Sequence, residues 1–292
     1  MAVPTDFPEL SAPPPAAPRR QRPLYLIAIY AILALAVVVS MVPFFYVISS
    51  SLKDSVALFQ YPPEWIPAEP TLKNYAALIE NYPFIRWTIN SLIVATSVTL
   101  IKVVIDSMAG YAFAKMQFPG KDPLFLVVLM TLMVPFAATL IPLFIIVRDL
   151  HLTNTYIGLI LPALANPIGI FMMRQFIETL PNDLENAARL DGCSDWQIFT
   201  RVILPLIRPG IVVLGIFLFM TQWTSYLWPL VIGTKQEMFT LTVGVQSLRA
   251  LFSVDWGVLS AGAVLSMLPL VLVFIFLQRY FIAGSIAGAL KE

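Results

Sequence analysis

The chain has 292 residues, of which 59% are hydrophobic and only 12% charged, with a mean hydropathy of +0.82 and a net charge of +1. A water-soluble domain carries about twice that share of charged residues, so this chain lacks the polar surface to face water all round. The balanced charge offers no basic excess for nucleic acid. With one cysteine, Cys193, and one histidine, His151, the chain has no internal disulfide framework and no Cys or His cluster for a metal.

In chain order, residues 1–23 come first, rich in Pro and Ala up to Pro18 and without apolar periodicity, and they predict a disordered tail. The Arg19, Arg20 and Arg22 cluster then precedes an apolar stretch of about 26 residues, too long for the core of a signal peptide and suited to an uncleaved span. Six stretches reach the ~20 apolar residues that cross a bilayer: Leu24–Ser49, Phe84–Ala109, Pro123–Val147, Tyr156–Met173, Gly210–Ile232 and Val258–Phe281. The expected fold class is therefore all-α, a polytopic membrane protein of six transmembrane helices over residues 24–282, with residues 283–292 as a C-terminal tail. Pro43, Pro135, Pro142, Pro162, Pro167, Pro229 and Pro269 fall inside these spans and are expected to kink them.

Orientation follows from lysine and arginine in the loops. With the N-terminus inside, the cytoplasmic side holds eleven of these residues against six outside, with Lys102 left within a span. Both termini are then cytoplasmic. The outer segment from Asp54 to Tyr82, with Tyr61, Trp65 and several prolines, has the composition of a membrane-surface loop.

Residues 178–208 form the most informative loop. Asn182 and Glu185 are spaced as a capping box, Gly192 is placed to end the first short helix, Ser194 and Gln197 form a second box, and Pro205 is placed to close the second helix. Ala187 and Ala188 give a shallow face, while Leu184, Trp196, Phe199 and Ile203 are too apolar for a free loop. Such a hairpin either rests on the chain's own helix ends or docks a cytoplasmic partner.

This loop resembles the EAA loop of type I ABC importer permeases. Ala187, Ala188, Asp191, Gly192, Leu204 and Pro205 fall on that pattern, and Asn186, beside Glu185, stands where the family has its glutamate. Further stretches are similar to the maltose-type branch of carbohydrate permeases: Ser51–Lys53, Pro70–Tyr75, Asn90–Ser91, Phe118–Lys121 and the tail Gln278–Phe281 with Ala287–Ala289. The resemblance implies one permease subunit of an ATP-driven, binding-protein-dependent importer in a bacterial-type inner membrane, for a sugar or oligosaccharide. It implies a second permease subunit, as a heterodimer, two ATPase subunits and an extracytoplasmic solute-binding protein as partners. In the family the loop is a coupling helix, which assigns Glu185, Asn186, Ala187, Ala188, Asp191, Gly192, Trp196, Phe199, Leu204 and Pro205 to ATPase docking. No nucleotide-binding glycine loop occurs in the sequence, so ATP and Mg belong to the partner, and this chain is expected to be neither an enzyme nor a cofactor binder.

Candidate pathway residues are Asn166 in the fourth span and Gln222, Trp223, Thr224, Ser225, Tyr226 and Trp228 late in the fifth; aromatic faces with hydrogen-bonding groups suit a sugar, and helix packing or an aromatic belt suits them as well. Lys102 and Asp106, four apart in the second span, are expected to form a mutual ion pair. The competing reading is an ion-coupled secondary transporter that uses the same two residues.

Overall fold

The structure, a computed structural model, describes residues 23–54, 57–250 and 254–289. Most of the expected N-terminal tail, residues 1–22, lies outside the described residues, as do residues 290–292 of the C-terminal tail. Contacts divide the chain into Met1–Tyr46 and Val47–Glu292. The first unit is occupied, where described, by most of helix α1 (Pro23–Ser51), which is apolar on every side and long enough to span.

The second unit is built around α3 (Phe84–Lys115), whose 32 residues give a rod ~48 Å long at 1.5 Å per residue, longer than the ~30 Å of hydrocarbon. The short α2 (Lys73–Asn81) precedes it. The next span is not one helix: α4 (Lys121–Thr131) and α5 (Phe136–Asp149) meet at 93°. The span after that is α6 (Tyr156–Ile160), a 3-10 segment (Leu161–Ala165) and α7 (Ile168–Glu178), bent by 45° at Asn166–Pro167. Both breaks replace spans that the hydropathy pattern reads as continuous. The cause is proline, since Pro135 and Pro167 supply no N–H at their breaks and Asn166 is extended (φ −74°, ψ 120°) as a residue before proline prefers.

The expected loop at 178–208 contains α8 (Asp183–Leu190) and α9 (Asp195–Gln197). The latter runs through a π-helical turn (Ile198–Ile203) into α10 (Leu204–Leu206). Pro205 therefore does not close the second helix, and the chain turns by 77° only at Ile207, where α11 (Arg208–Trp223) begins. The fifth span is interrupted at residues 224–226 before α12 (Leu227–Ile232). After α13 (Leu241–Ser247), the last span is α14 (Trp256–Ala289), which runs on helically past residue 282 into the expected tail. Among the described residues three helices are long and apolar enough to cross a membrane, and up to six spans result if each bent pair counts as one.

Packing centres on α3 against α7 and α11. Gly110 lets α7 approach closely, since a Cβ there would lie 2.6 Å from Met173 Cβ and 2.9 Å from the Arg174 backbone nitrogen. At the Phe84 end of α3 an apolar cluster around Phe84, Trp87 and Leu241 is joined by polar contacts. Trp87 Nε1 donates to Gln236 O (3.0 Å), Asn90 Nδ2 to Glu237 O and Phe239 O (both 2.8 Å), and Tyr156 Oη is 2.8 Å from Asn90 Oδ1. At the Lys115 end an apolar cluster of Tyr111, Met173, Ile177, Ile198, Phe199, Ile203 and Ile207 joins α3, α7 and the loop.

Candidate functional site

Three interruptions of the helices open onto one cavity of about 350 Å³. Phe136 comes from the start of α5, Pro162, Ala163 and Asn166 from the turn before α7, and Thr221, Gln222, Ser225, Tyr226, Leu227 and Trp228 from the α11–α12 interruption. Asn166 Oδ1 accepts from Ile168 N–H at 3.0 Å, which fixes the side chain across Pro167. Thr221 donates its hydroxyl within the helix to Phe217 O at 2.7 Å. Trp228 is buried, anchored by Nε1 on Gly158 O at 3.1 Å, and meets the Phe136 ring edge-on at 6.3 Å. Gln222, Ser225 and Tyr226 supply an amide, a hydroxyl and a half-exposed phenol.

Trp223 is not part of this wall, contrary to its place among the sequence candidates. It is buried, stacks on Phe219 at 5.7 Å and donates from Nε1 to Ser266 O of α14 at 3.0 Å. Its indole is turned to Phe219 and α14 rather than to the cavity that Thr221 and Gln222 line. Phe136, Pro162, Ala163, Thr221 and Leu227 went unidentified in the sequence. The prolines that mark the breaks were the available signal.

The Lys102–Asp106 pair lies elsewhere on α3, fully buried, with Nζ 3.0 Å from Asp106 Oδ2. Lys102 also donates to Leu164 O at 3.5 Å and to Asn166 O. Neither side chain lines the cavity. A Cβ on Gly169 would overlap the Asp106 carboxylate, so α7 closes the pair off.

In the 178–208 loop, Gly192 adopts φ +80°, the left-handed turn that only glycine takes without strain. Ser194 and Gln197 form the expected capping box. Asn182 does not cap α8, because its Oδ1 accepts instead from Lys115 Nζ at 2.6 Å, and the same ammonium donates to Leu180 O at 2.6 Å. Arg189 binds Asp195 at 2.6 Å and so ties α8 to α9. Glu185 and Ala188 face inward, and Phe199 packs on Tyr111 at a ring separation of 5.3 Å. The face left open carries Ala187, Asp191, Leu190 and Trp196, the last two 90% and 61% exposed. Leu204 is half-buried, and Asn186 and Pro205 are exposed. A polar cavity of about 470 Å³ between the loop and α3 is lined by Lys115, Asn182, Glu185, Asn186, Arg189 and Asp195 among others. Burial there pushes the Glu185 carboxyl above the usual carboxylate range, against the opposing pull of Lys115 and Arg189.

Comparison with known proteins agrees with this architecture. Residues 106–284 match the family model described as "Binding-protein-dependent transport system inner membrane component". The chain is 33% identical over 276 residues to the arabinooligosaccharides transport system permease protein AraQ of Bacillus subtilis, covering 92% of this chain and 96% of that one. It is 38% identical over 226 residues to the protein of the same name in Halalkalibacterium halodurans, covering 77% and 81%. Its fold is similar to a chain in the crystal structure of a bacterial ABC transporter involved in import of the acidic polysaccharide alginate, with TM-score 0.78, 23% identity, and coverage of 91% of this chain and 99% of that one. These relatives are permease components rather than enzymes, and the chain is an integral membrane protein that belongs to the binding-protein-dependent transport system inner membrane component family.

Proposed function

We propose that the chain forms one side of the pore of an ATP-driven importer of a neutral oligosaccharide, with the 350 Å³ cavity on the translocation path. The observation that carries this reading is the convergence of three helix interruptions on one cavity. Interrupted membrane helices free backbone polar groups only where they line a pathway or are buried in protein. The lining is neutral and mixes aromatic surface (Phe136, Tyr226, Trp228) with amide and hydroxyl groups (Asn166, Gln222, Ser225), which suits a sugar ring and its hydroxyls. The relatives named for arabinooligosaccharide transport favour a pentose or hexose oligomer.

Energy comes from a separate ATPase pair, which binds ATP and Mg. It docks on the open face of the 178–208 loop, at Ala187, Leu190, Asp191 and Trp196. Because α8 to α10 are tied by the Arg189–Asp195 bridge and packed on α3 and α7, a push on that face moves the bundle as a body. A second, different permease subunit completes the pore, and an extracytoplasmic binding protein delivers the sugar. Both termini lie in the cytoplasm, and the host membrane is the bacterial inner membrane. The secondary-transport reading draws no support from Lys102 and Asp106, which are sealed from the cavity.

The test is purification of the tagged chain with its co-purifying ATPase and second permease, followed by reconstitution with the binding protein. Uptake of labelled arabinotriose is expected to require ATP and to fall at least about tenfold in Gln222→Ala and Tyr226→Ala. Uptake that follows an ion gradient without ATP, or cavity variants with unchanged uptake, would overturn the reading. Gly192→Val is expected to leave ATP hydrolysis running with little uptake.

A further inference from the structure

A mutual ion pair accounts for the charge of Lys102 and Asp106 but not for where the ammonium points. Lys102 Nζ reaches past Asp106 to two backbone carbonyls at the break before α7, Leu164 O in the 3-10 segment and Asn166 O just after it. Those carbonyls end the 3-10 segment Leu161–Ala165 just where Pro167 removes the N–H that would continue the helix. An ammonium has three N–H donors, which match two carbonyls and one carboxylate. Asp106 keeps the ammonium charged inside the bundle, and Gly169, with no side chain, leaves room for the carboxylate. Ala163 and Asn166, from the same short stretch, form part of the cavity wall.

We propose that Lys102 is a positioning residue for translocation, which pins the Leu164–Asn166 break so that Ala163 and Asn166 hold their place in the cavity wall. The proposal rests on the reading of that cavity as the sugar path. A purely structural pair would influence assembly alone. A positioning residue also influences what the cavity wall does in complexes that do assemble.

The experiment uses the full importer complex in proteoliposomes, in a Cys193→Ser background, with two readouts. The first is the labelling rate of Ala163→Cys by a membrane-impermeant maleimide, with Ser225→Cys, from the α11–α12 interruption, as reference. The second is ATP hydrolysed per arabinotriose taken up. Lys102→Met alone leaves a buried carboxylate unpaired and can fail to assemble, so the deciding variant is the double substitution Lys102→Met/Asp106→Leu, which removes both charges. In that variant the Ala163→Cys rate is expected to change by about tenfold, equivalent to ~1.4 kcal/mol, with Ser225→Cys unchanged. ATP hydrolysed per sugar is expected to rise by a similar factor. Asp106→Asn removes the counter-charge, yet even a neutral Lys102 amine keeps two N–H donors for the two carbonyls, so complexes of this variant that assemble are expected to keep wild-type values of both. A double variant that assembles with wild-type labelling and coupling overturns the proposal, as does failure of both Lys102 variants to assemble, since the pair is then only a folding element. If Ala163→Cys responds while Gln222→Ala and Tyr226→Ala leave uptake unchanged, the pin stands and the pathway reading fails.

Discussion

The two proline breaks in the middle of this protein, at Asn166–Pro167 and at Leu132–Pro135, arise from the same residue type and end in opposite settings. At Asn166 a buried ammonium takes the freed carbonyls, and the following helix α7 packs closely on α3 at Gly110 and Gly169. At Leu132–Pro135 the bonds among the described residues are local, Thr131 donating to Val128 O and Thr139 to Phe136 O, and residues 131–139 are exposed. One break is fixed by the bundle, and the other, bent by 93°, stands at the surface of the subunit. The comparison teaches that proline determines where a membrane helix can break, whereas the neighbours determine whether the break is rigid.

That contrast can be broken experimentally. The largest effect is expected from Lys102→Met, which strands Asp106 in the interior at a cost of about 3–5 kcal/mol, read as a lower thermal midpoint and a lower yield of assembled complex in mild detergent. Wild-type thermal behaviour in that variant would show that the first break is no better fixed than the second. Gly110→Val should cost about 1–3 kcal/mol by wedging α7 off α3, again read as thermal midpoint. A smaller effect concerns a buried charge outside the spans. The folded Glu185 carboxyl titrates above its unfolded range, so the folded state binds the proton more tightly and loses stability as pH rises through that window. Glu185→Gln should flatten this dependence and stabilise the complex at neutral pH, measured as thermal midpoint against pH. Least of all is expected from Pro135→Ala, which should stay within about 0.5 kcal/mol, because little packs on that break. A loss there as large as that of Lys102→Met would erase the distinction.

The loop shows how far sequence reasoning reaches. Gly192 and the Ser194–Gln197 box follow local rules in which a side chain or a missing Cβ acts on its own backbone, and the structure has both. Asn182 obeys the same spacing rule and yet does not cap, because Lys115, 67 residues away, takes its oxygen. Pro205 fits a helix end by spacing, yet the segment continues through a π-helical turn into α10, where Pro205 stands in the first turn and its missing N–H costs little. Of the candidate pathway residues, Asn166, Gln222, Ser225 and Tyr226 line the cavity, while Trp223 packs against α14, an orientation that only tertiary contacts decide.

What the sequence determined by itself is the solvent: six apolar stretches and too few charges leave only a membrane to satisfy them, since the hydrophobic effect acts on composition and length alone. It also determined the local turns, where a residue needs no partner beyond its neighbours. Only the tertiary structure decided which proline breaks became fixed, which faces of the helices meet the cavity, and that the Lys102 charge serves a break on another helix. Those outcomes depend on contacts between residues far apart in the chain, and the lack of a spare hydrogen-bond partner in hydrocarbon makes each contact consequential.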